Sequence, residues 1–460
     1  MNVTFTFDST VLSGRTIVAF ETLKYEGRDI AVHADINDKD QTVFVPEIGT
    51  TFVDPVTDDH VASCSGKIKL VDTVSYANLV AGKEYTLTGT IMDKKTGKEL
   101  KDNEGNVYEV TKTFTPEKGI GTIDIEFEID TANINGVTVV AFEKVYHNDV
   151  LVAVHTDIDD VDQTVYIPEI RTTLNDVVSS DHVASEETVT LIDTVKYSGL
   201  LPGRDYTVKG VLVNKETSEK ILDENGDAIT GSVAFTPDAP EGSVEIMFEF
   251  SSGILRGSTV VAFEDLYYRD IKIAVHADIN DEDQTVYFPE IHTTMTDMST
   301  NEHVSAQGGT IRLTDTVSYK DLKPGLKYVM NGTLYIRSTE DVLTDADGKP
   351  VTAKAEFTPD SGTGFVELVF EFDSSLLKGE SLVAFEVLTY KETVVATHND
   401  INDRDQTVDI PDIHTTFFDA AFGPEEDLAR CEEEVELTDR VYYKNLTPDL
   451  EYRQIGRAHV

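Results

Sequence analysis

Cysteine is scarce in this sequence, and so are basic residues. The two cysteines, Cys64 and Cys431, fall at matching places in two different repeats, so no disulfide can form within one repeat. The chain is therefore not a disulfide-stabilised scaffold, and burial or incidental exposure is expected for both thiols. Avoidance of cysteine is compatible with an oxidising or a reducing compartment, so the redox setting stays open.

Positive charge is outnumbered more than twofold by negative charge. The sequence has 38 Lys and Arg against 85 Asp and Glu, a formal net charge of −47. Nucleic acids and anionic membranes bind through Lys and Arg, so neither is expected as a partner. The excess of acid predicts a highly soluble, self-repelling surface, and calcium binding is the alternative interpretation.

Long apolar runs are absent. No stretch of about 18 apolar residues occurs, so no membrane insertion is expected, and no basic-then-apolar leader opens the sequence. Both ends match only part of a repeat that fills the rest of the chain, so we expect a chain that is cut at both ends. The last eight residues, 453–460, match nothing upstream and are interpreted as a foreign or truncated end.

One motif organises the sequence. A His, a string of Asp, a Gln-Thr pair and a Pro lead into a Thr-Thr pair at 33–51, 155–173, 276–294 and 398–416. Twelve residues before each His, a Glu closes the apolar run Val-Ala-Phe-Glu. Successive copies are 121 or 122 residues apart, which is near the common domain size of about 100–150 residues, so each unit can bury its own core.

The repeat predicts the domain organisation. A partial repeat covers 1–45, complete repeats cover 46–167, 168–288 and 289–410, and a further partial repeat with the non-matching tail covers 411–460. Only nine residues separate the Gln of one copy from the first Thr of the next. A proline stiffens each junction by fixing φ, at Pro46, Pro168, Pro289 and Pro411. We therefore expect a semi-rigid, monomeric rod without flexible Gly/Ser tethers.

Apolar residues inside each repeat mostly alternate with polar ones, as in half-buried strands. The segments 85–91, 122–129 and 366–372 show this pattern and are rich in β-branched and aromatic residues. Turn-like breaks with Gly and Asn separate the segments, and helix-period segments are absent. Many short strands per unit predict an all-β fold of tandem immunoglobulin-like β-sandwich domains.

Five chemically capable positions recur in every complete repeat. They are a Thr near the start, the Asp of Asp-Thr-Val-x-Tyr, and the Glu, His and Gln of the late motifs: Thr50, Asp72, Glu143, His155 and Gln163 in the first, Thr172, Asp193, Glu264, His276 and Gln284 in the second, and Thr293, Asp315, Glu386, His398 and Gln406 in the third. Each has a structural interpretation, because Thr suits strands and polar residues in strands are often simply hydrogen-bonded.

The Glu and the Gln are harder to explain structurally. Glu143 shares its strand face with Ala141 and Val139, and a carboxylate on a core-like face is costly unless it is paired or protonated. The amide of Gln163 alternates in phase with Val165, so the pattern places it in a strand and pointing into the core.

Together the five residues fit acyl transfer within one domain. The Thr hydroxyl would be the nucleophile, the Gln amide the electrophile, and the His the base that a weak hydroxyl needs. The Asp and the Glu would share a proton, since like charges cannot both ionise cheaply, and the protonated carboxyl would polarise the Gln carbonyl. Loss of ammonia leaves a Thr–Gln ester. The same residues would suit an amidase.

These motifs resemble the VaFE repeats, the Thr–Gln ester-bond domains of Gram-positive surface adhesins. The resemblance is carried by Val-Ala-Phe-Glu, His-x-Asp with a later Gln-Thr, Ile-x-Thr-Thr and Asp-Thr-Val-x-Tyr, and it covers almost the whole chain. It implies self-formed esters between Thr50 and Gln163, Thr172 and Gln284, and Thr293 and Gln406. The Asp, Glu and His of each repeat then match the family's auxiliary residues.

The partial repeats depart from the family pattern. Glu21, His33 and Gln41 have no Thr partner, while Thr415 and Asp439 have no Gln. They are expected to be incomplete sites.

The resulting hypothesis is a structural stalk segment of a cell-wall-anchored, extracellular bacterial protein. It would not be a turnover enzyme, because each site reacts once, and it would need no cofactor or metal. A host or matrix ligand would be bound by a tip domain outside this chain. The alternatives are a ligand- or calcium-binding β-sandwich module, or a hydrolase with an accessible site. The acidic string does not match a complete calcium loop, since Gly and Glu are missing at the sixth and twelfth positions.

Overall fold

The fold is built almost entirely of β-strands. The computed structural model describes residues 1–63, 66–131, 134–186, 188–306 and 308–457, so Cys64 lies outside the described residues, while Cys431 is free and exposed. Within these ranges the helices are single 3-10 turns, at Thr10–Leu12, Lys39–Gln41, Ser252–Ile254 and Glu282–Gln284. None of them is long or apolar enough to cross a bilayer.

Strands are numbered along the chain. The first partial repeat contains β1 Thr16–Val18, β2 Glu21–Tyr25, β3 Arg28–His33 and β4 Thr42–Phe44. Residues 46–167 contain β5 Glu47–Val53, β6 Lys67–Ala77, β7 Tyr85–Asp93, β8 Lys98–Glu99, β9 Glu109–Phe114, β10 Gly121–Asp130, β11 Thr138–His147, β12 Val150–His155 and β13 Thr164–Tyr166. Residues 168–288 contain β14 Glu169–Asp176, β15 Thr188–Ser198, β16 Tyr206–Asn214, β17 Thr230–Phe235, β18 Gly242–Ser251, β19 Ser258–Tyr268, β20 Ile271–His276 and β21 Thr285–Phe288.

The remaining strands repeat this order. Residues 289–410 contain β22 Glu290–Asp297, β23 Thr310–Lys320, β24 Tyr328–Ile336, β25 Asp341–Val342, β26 Thr352–Phe357, β27 Gly364–Asp373, β28 Ser381–Tyr390, β29 Thr393–His398 and β30 Thr407–Asp409. The last partial repeat contains β31 Asp412–Asp419 and β32 Leu437–Lys444. We call the three complete repeats domains 1, 2 and 3.

Each domain is a sandwich of two antiparallel sheets, which confirms the predicted fold class. In domain 2 the smaller sheet has the order β14-β15-β18, and the larger has the order β17-β16-β19-β20 with β21 also paired to β19. Domains 1 and 3 repeat this topology and add a short strand, β8 or β25, to the larger sheet. The first strand of each domain lies at an edge of the smaller sheet, whereas the last strand belongs to the larger sheet. A bond between these strands would therefore join the two sheets.

Alternation along the strands sets what the two sheets bury. In β15, Val189, Leu191, Asp193 and Val195 are buried, while the residues between them are partly exposed. The apolar members of this row pack with the facing sheet in the core of domain 2, as the hydrophobic effect requires. Asp193 occupies a core position in the same row, so the smaller sheet presents a carboxyl group to the sandwich interior.

The partial repeats form less of the sandwich. Segment 2–8 resembles the sequence of β18 but forms no strand, and its Phe5 and Phe7 are exposed. The reason is that β18 pairs with β15, and the first partial repeat has no counterpart of β15 in this chain. A strand needs a partner for its backbone groups, so this segment forms no strand without one.

Candidate cross-linking site

The sandwich brings the five recurring residues of each domain together between its two sheets. In domain 2, Thr172 is on β14 and Asp193 on β15 of the smaller sheet, while Glu264 is on β19 and His276 on β20 of the larger sheet. Gln284 closes a 3-10 turn directly before β21. In the smaller sheet, Asp193 lies opposite Leu174, which is two residues after Thr172. In the larger sheet, Glu264 lies opposite His276.

The most complete contact is in domain 2. The Thr172 hydroxyl donates to Glu264 Oε2 at 3.2 Å, and the Gln284 amide Nε2 donates both to the same carboxyl oxygen and to Thr172 Oγ1. Thr172 is 4% exposed, and Glu264 and Gln284 are essentially inaccessible. The hydroxyl and the amide, 112 residues apart in sequence, thus touch in a dry interior.

Domains 1 and 3 show parts of the same arrangement. Gln163 Nε2 donates to Glu143 Oε2 at 2.5 Å, and Gln406 Nε2 donates to Glu386 Oε2 at 2.7 Å. The Thr50 hydroxyl oxygen is buried without a hydrogen-bond partner. In domain 3 the Thr293 hydroxyl donates to Asp315 Oδ1 instead. The Gln–Glu contact is therefore common to all three domains, while the Thr–Gln contact is found in domain 2.

The Glu and the Asp of each site form a buried acid pair. Burial, reinforced by the negative charge of the neighbouring Asp, raises the pKa of Glu143, Glu264 and Glu386 to about 10. Burial also raises the pKa of Asp72 and Asp193 to about 6, and it raises the pKa of Asp315. At neutral pH the Glu therefore keeps its proton. Oε1 of each site Glu has no hydrogen-bond partner, and the same holds for both oxygens of Asp72 and Asp193 and for Oδ2 of Asp315. A proton shared between the Glu and the Asp gives each carboxyl a partner at these atoms.

The carbonyl oxygens of the site glutamines have no donor. Oε1 of Gln163, Gln284 and Gln406 is buried and unpaired. Buried polar atoms normally have a hydrogen-bond partner, so these unpaired carbonyl oxygens need an explanation. A reaction at the amide, next to a protonated carboxyl group, would provide one.

The position of the Gln differs from the sequence expectation. The alternation with Val165 places Gln163 in the last strand, but the residue stands in the turn directly before β13. The hydroxyl of Thr164 donates to the Asp160 carbonyl at 2.6 Å and closes this turn. Thr285 and Thr407 make the same bond in their domains. The Gln is nevertheless fully buried, because the turn directs it into the sandwich.

The sequence interpretation missed a second Asp in each site. Nε2 of His155 lies 2.8 Å from Asp160, His276 lies 3.0 Å from Asp281, and His398 lies 3.2 Å from Asp403. In the sequence these aspartates stand out only as members of the acidic string of each motif. Their signal was their constant position five residues after each His. A carboxylate at this position orients the ring and favours its protonated form.

The histidines stand at the solvent side of each site. Their side chains are 18 to 21% exposed, and His155 Nδ1 lies 3.2 Å from the carbonyl of Ile48 on the Thr strand. Burial lowers the pKa of His276 and His398. Within the described residues no hydrogen bond joins a site His to a site Thr, and the hydroxyls of Thr172 and Thr293 contact carboxyl groups instead.

A glycine opposite each site Glu was also missed. Gly89, Gly210 and Gly332 face Glu143, Glu264 and Glu386 across the larger sheet. A Cβ atom on Gly210 would lie 2.7 Å from the Phe248 ring of the smaller sheet. The missing side chain thus lets the two sheets approach beside the site. The signal was a Gly in an otherwise β-branched strand.

The partial repeats contain only some of the five recurring residues. Gln41 Nε2 donates to Glu21 Oε2, and His33 Nε2 lies 2.7 Å from Asp38, but Glu21 and His33 are exposed. Thr415 on β31 and Asp439 on β32 are both exposed. In the part of the chain that the structure describes, no group of three or more His, Cys, Asp or Glu is arranged to hold a metal ion.

Comparison with known proteins identifies the repeats. The family model of the T-Q ester bond containing domain matches residues 1–45, 46–167, 168–288, 289–410 and 411–459. No curated protein matches the chain. Among solved structures, a bacterial adhesin from Mobiluncus mulieris containing intramolecular disulfide, isopeptide and ester bond cross-links is 11% identical, with a TM-score of 0.25, covering 60% of this chain and 98% of that chain.

A second solved structure is the C-terminal domain of the AgI/II polypeptide BspA from Streptococcus agalactiae. It is 11% identical, has a TM-score of 0.24, and covers 50% of this chain and 100% of that chain. Family membership rests on the family model, whose five matches run along nearly the whole sequence, and it confirms the resemblance seen in the motifs. The chain belongs to the family of T-Q ester bond containing domains.

Proposed function

We propose that each complete domain joins its own first and last strands by an ester, once, between the Thr hydroxyl and the Gln side chain. The observation that carries this proposal is the buried contact in domain 2, where the Gln284 amide lies against both the Thr172 hydroxyl and the Glu264 carboxyl. A nucleophile and an electrophile held in contact need no substrate pocket. Holding the two groups in contact removes a large part of the entropic barrier to their reaction.

The reaction balances without a cofactor or a co-reactant. The Thr oxygen bonds to the Gln Cδ, the Cδ–Nε2 bond breaks, and the hydroxyl proton leaves with the nitrogen as ammonia. Negative charge develops on the Gln carbonyl oxygen during attack. A half-turn of the amide about the Cγ–Cδ bond exchanges Oε1 and Nε2 and sets the carbonyl oxygen against the protonated Glu, which then stabilises that charge.

The His–Asp pair provides the route for the proton. The Asp holds the ring, and the partly exposed imidazole connects the dry site with solvent. In this proposal the His carries the proton from the hydroxyl to the departing nitrogen, as a general acid–base catalyst does. Each site reacts once, so the chain is a substrate of its own chemistry and not a turnover enzyme.

The cross-links suit a load-bearing stalk. A pulling force would enter at the first strand, cross the ester and leave through the last strand, so it would bypass the sandwich core. The ester atoms would stay protected from hydrolysis, because the Gln and the acid pair of each site are buried. We place this stalk in an adhesin or pilus-like protein on a Gram-positive cell surface, anchored to the cell wall, with ligand recognition by a tip domain outside this chain.

Intact-protein mass spectrometry of the purified chain tests the chemistry. We expect a mass lower than that of the sequence by three ammonia molecules, one per complete domain. Thr50→Ala, Thr172→Ala and Thr293→Ala should each restore one ammonia, because each removes one nucleophile.

The chain offers matched controls in the second Thr of each pair. Thr51→Ala, Thr173→Ala and Thr294→Ala change the neighbouring residue, which lies on the opposite face of the same strand, and should keep all three losses. A folded chain with the full mass of its sequence would refute the proposal.

A further inference from the structure

Consecutive domains touch through a carboxylate that lies nine residues after the site Thr. At the first junction this residue is Asp59 of domain 1, which is only 7% exposed. Its Oδ2 accepts from the Tyr268 hydroxyl at 2.6 Å and from Arg269 at 3.0 Å. Both belong to the tip of the hairpin between β19 and β20 of domain 2. The other oxygen of Asp59 accepts from the His60 backbone N–H at 2.8 Å.

The second junction repeats the contact with a different cation. Oδ2 of Asp181, in domain 2, accepts from the Tyr390 hydroxyl at 2.6 Å and from Lys391 Nζ at 2.7 Å. These residues form the tip of the hairpin between β28 and β29 of domain 3. The hydrogen bonds from Lys391 and Tyr390 outweigh the effect of burial and hold the pKa of Asp181 below its ordinary value. The carboxylate is thus charged at neutral pH and is paired with a cation.

An apolar contact accompanies each carboxylate. Val61, two residues after Asp59, is fully buried and packs in the core of domain 2. Val183, two residues after Asp181, is fully buried in the core of domain 3. Each of these two domains therefore completes part of the core of the domain that follows it.

The docking segment is also tied to the cross-linked strand of its own domain. The Tyr166 backbone N–H donates to the His60 carbonyl, and the Ala62 N–H donates to the Tyr166 carbonyl, both at 2.8 Å. Tyr166 is on β13, which directly follows the reactive Gln163. Domain 2 repeats this pairing through Tyr287. A single strand thus connects each proposed ester with the next junction.

Domains 1 and 3 each contain one half of this contact in a different form. In domain 1 the hairpin tip carries His147 and Asn148 in place of the Tyr and the cation, and His147 Nδ1 contacts the Glu84 carbonyl of its own domain at 2.7 Å. In domain 3 the positions of the carboxylate and the valine are Glu302 and Val304. Among the described residues no hairpin covers them, and they are exposed and half-buried.

We propose that the hairpin tip is a docking surface that recognises the Asp-His-Val segment of a preceding repeat. The Tyr–cation pair binds the carboxylate, and the valine packs into the core of the following domain. Together these two contacts hold neighbouring domains at one angle. The residue pair at the tip decides whether a repeat can accept a carboxylate from its predecessor. Tyr-Arg and Tyr-Lys tips accept one, and a His-Asn tip lacks the cation. This inference holds whether or not the esters form.

Distance measurements between spin labels on the whole chain test the proposal. In a Cys64→Ser, Cys431→Ser background, labels at Lys98→Cys and Glu224→Cys report on the first junction by double electron–electron resonance. Asp59→Asn and Arg269→Asn should each widen the distance distribution by about twofold or more, because each breaks the ion pair of the hairpin tip, and domains with a weakened interface move relative to one another. Arg204 of domain 2 lies 3.6 Å from the same Asp59 oxygen and remains in Arg269→Asn, so the distribution of Asp59→Asn should be the wider of the two.

Labels at Glu224→Cys and Asp347→Cys report on the second junction. That distribution should stay narrow in Asp59→Asn and widen in Asp181→Asn. Asn148→Ala, at the tip without a cation, should leave both junctions unchanged.

Circular dichroism and the ammonia losses show whether each variant keeps its folded domains. Folded Asp59→Asn and Arg269→Asn chains with distributions as narrow as the parent's would overturn the proposal, as would equal widening at both junctions.

Discussion

At the scale of residues, the site depends on carboxyl groups placed where only apolar side chains would normally be stable. Glu264 lies in the buried row of β19 with Ala262 and Leu266, and it faces the buried Asp193 across the sandwich. Removing one charge by protonation is the least costly solution for such a pair. The proton that stabilises the fold is the same proton that would activate the amide.

Replacement of the site Glu should stop the reaction in one domain. Glu264→Gln keeps the size of the side chain but cannot share a proton with Asp193, so the Gln284 carbonyl loses its acid. Within hours of purification, we expect the variant to have lost two ammonia molecules where the parent chain has lost three. The reason is that removal of such a donor slows reactions by about 10²–10³-fold. Intact mass measures this, and the exposed Glu282→Gln of the same domain should keep three losses. Three losses in Glu264→Gln would contradict the assignment.

The acid pairs also predict a pH dependence of stability in the absence of esters. In a chain carrying Thr50→Ala, Thr172→Ala and Thr293→Ala, the site glutamates keep folded pKa values of about 10, whereas unfolded Glu titrates near 4.3. The folded state then binds more protons than the unfolded state across this range. The contribution of the protonated glutamates to the free energy of unfolding is therefore fully present below the unfolded pKa, and it is lost as the pH rises toward 10.

Thermal unfolding between pH 7.5 and 9 measures this effect, and Tm should fall as the pH rises. This window lies above the range in which the lowered pKa values of His276 and His398 act in the opposite direction. The junction aspartates, whose pKa values are lowered, stay ionised throughout this window and do not contribute. Adding Glu143→Gln, Glu264→Gln and Glu386→Gln should flatten the slope. A Tm that rises with pH in the Thr→Ala chain would contradict the acid pairs.

At the scale of elements, the distance between the two sheets decides whether the site closes. The smaller sheet supplies the Thr and the Asp, and the larger sheet supplies the Glu, the His and the Gln. The glycines opposite each Glu let aromatic side chains of the smaller sheet come close to the larger sheet. Packing at this spot therefore affects chemistry as well as stability.

Gly210→Ala tests this sheet spacing. Its Cβ would meet the buried Phe248 ring at 2.7 Å, and overpacking of a core typically costs about 1–3 kcal/mol. We expect calorimetry to show a lower Tm for domain 2, with slower ammonia loss there. Gly253→Ala in the same domain, where the nearest atom is 3.7 Å away, should change little. Equal effects of the two substitutions would contradict the prediction that the spacing of the two sheets at Gly210 controls ammonia loss.

At the scale of the whole molecule, nine residues separate each site Gln from the next site Thr, so the proposed esters would lie almost in line along the chain. The docking contacts hold the same short segments in place. Stiffness would then come from covalent bonds within domains and from ion pairs between them. The entropic gain from closing a loop of about 100 residues is about 4.7 kcal/mol in the chain-entropy model.

Single-molecule force spectroscopy tests the load path. The parent chain should extend without releasing any complete domain. Thr172→Ala should add one unfolding step, because the 112 residues between Thr172 and Gln284 become extensible by roughly 390 Å at about 3.5 Å per residue. Thr173→Ala should add none. A step of this length in the parent chain would show that the cross-link does not carry the force.

Much of this protein could be predicted from local patterns. Period-2 alternation predicted strands and assigned side chains to faces, so Glu143 was visible as a polar group in an apolar row. The constant spacing of the motifs predicted repeated domains, and the same spacing selected the five site residues. The strand prediction succeeded because strand geometry is a property of the local chain.

The remaining features depend on contacts between distant segments. Only the tertiary structure placed Thr172 on one sheet and Gln284 in the turn before a strand of the other. It also matched each His with an Asp of the acidic string. The docking of Asp59 on Tyr268 joins residues of different domains, and no local pattern marks it. Alternation states which face a residue occupies, but which surface covers that face is decided by the packing of the whole chain.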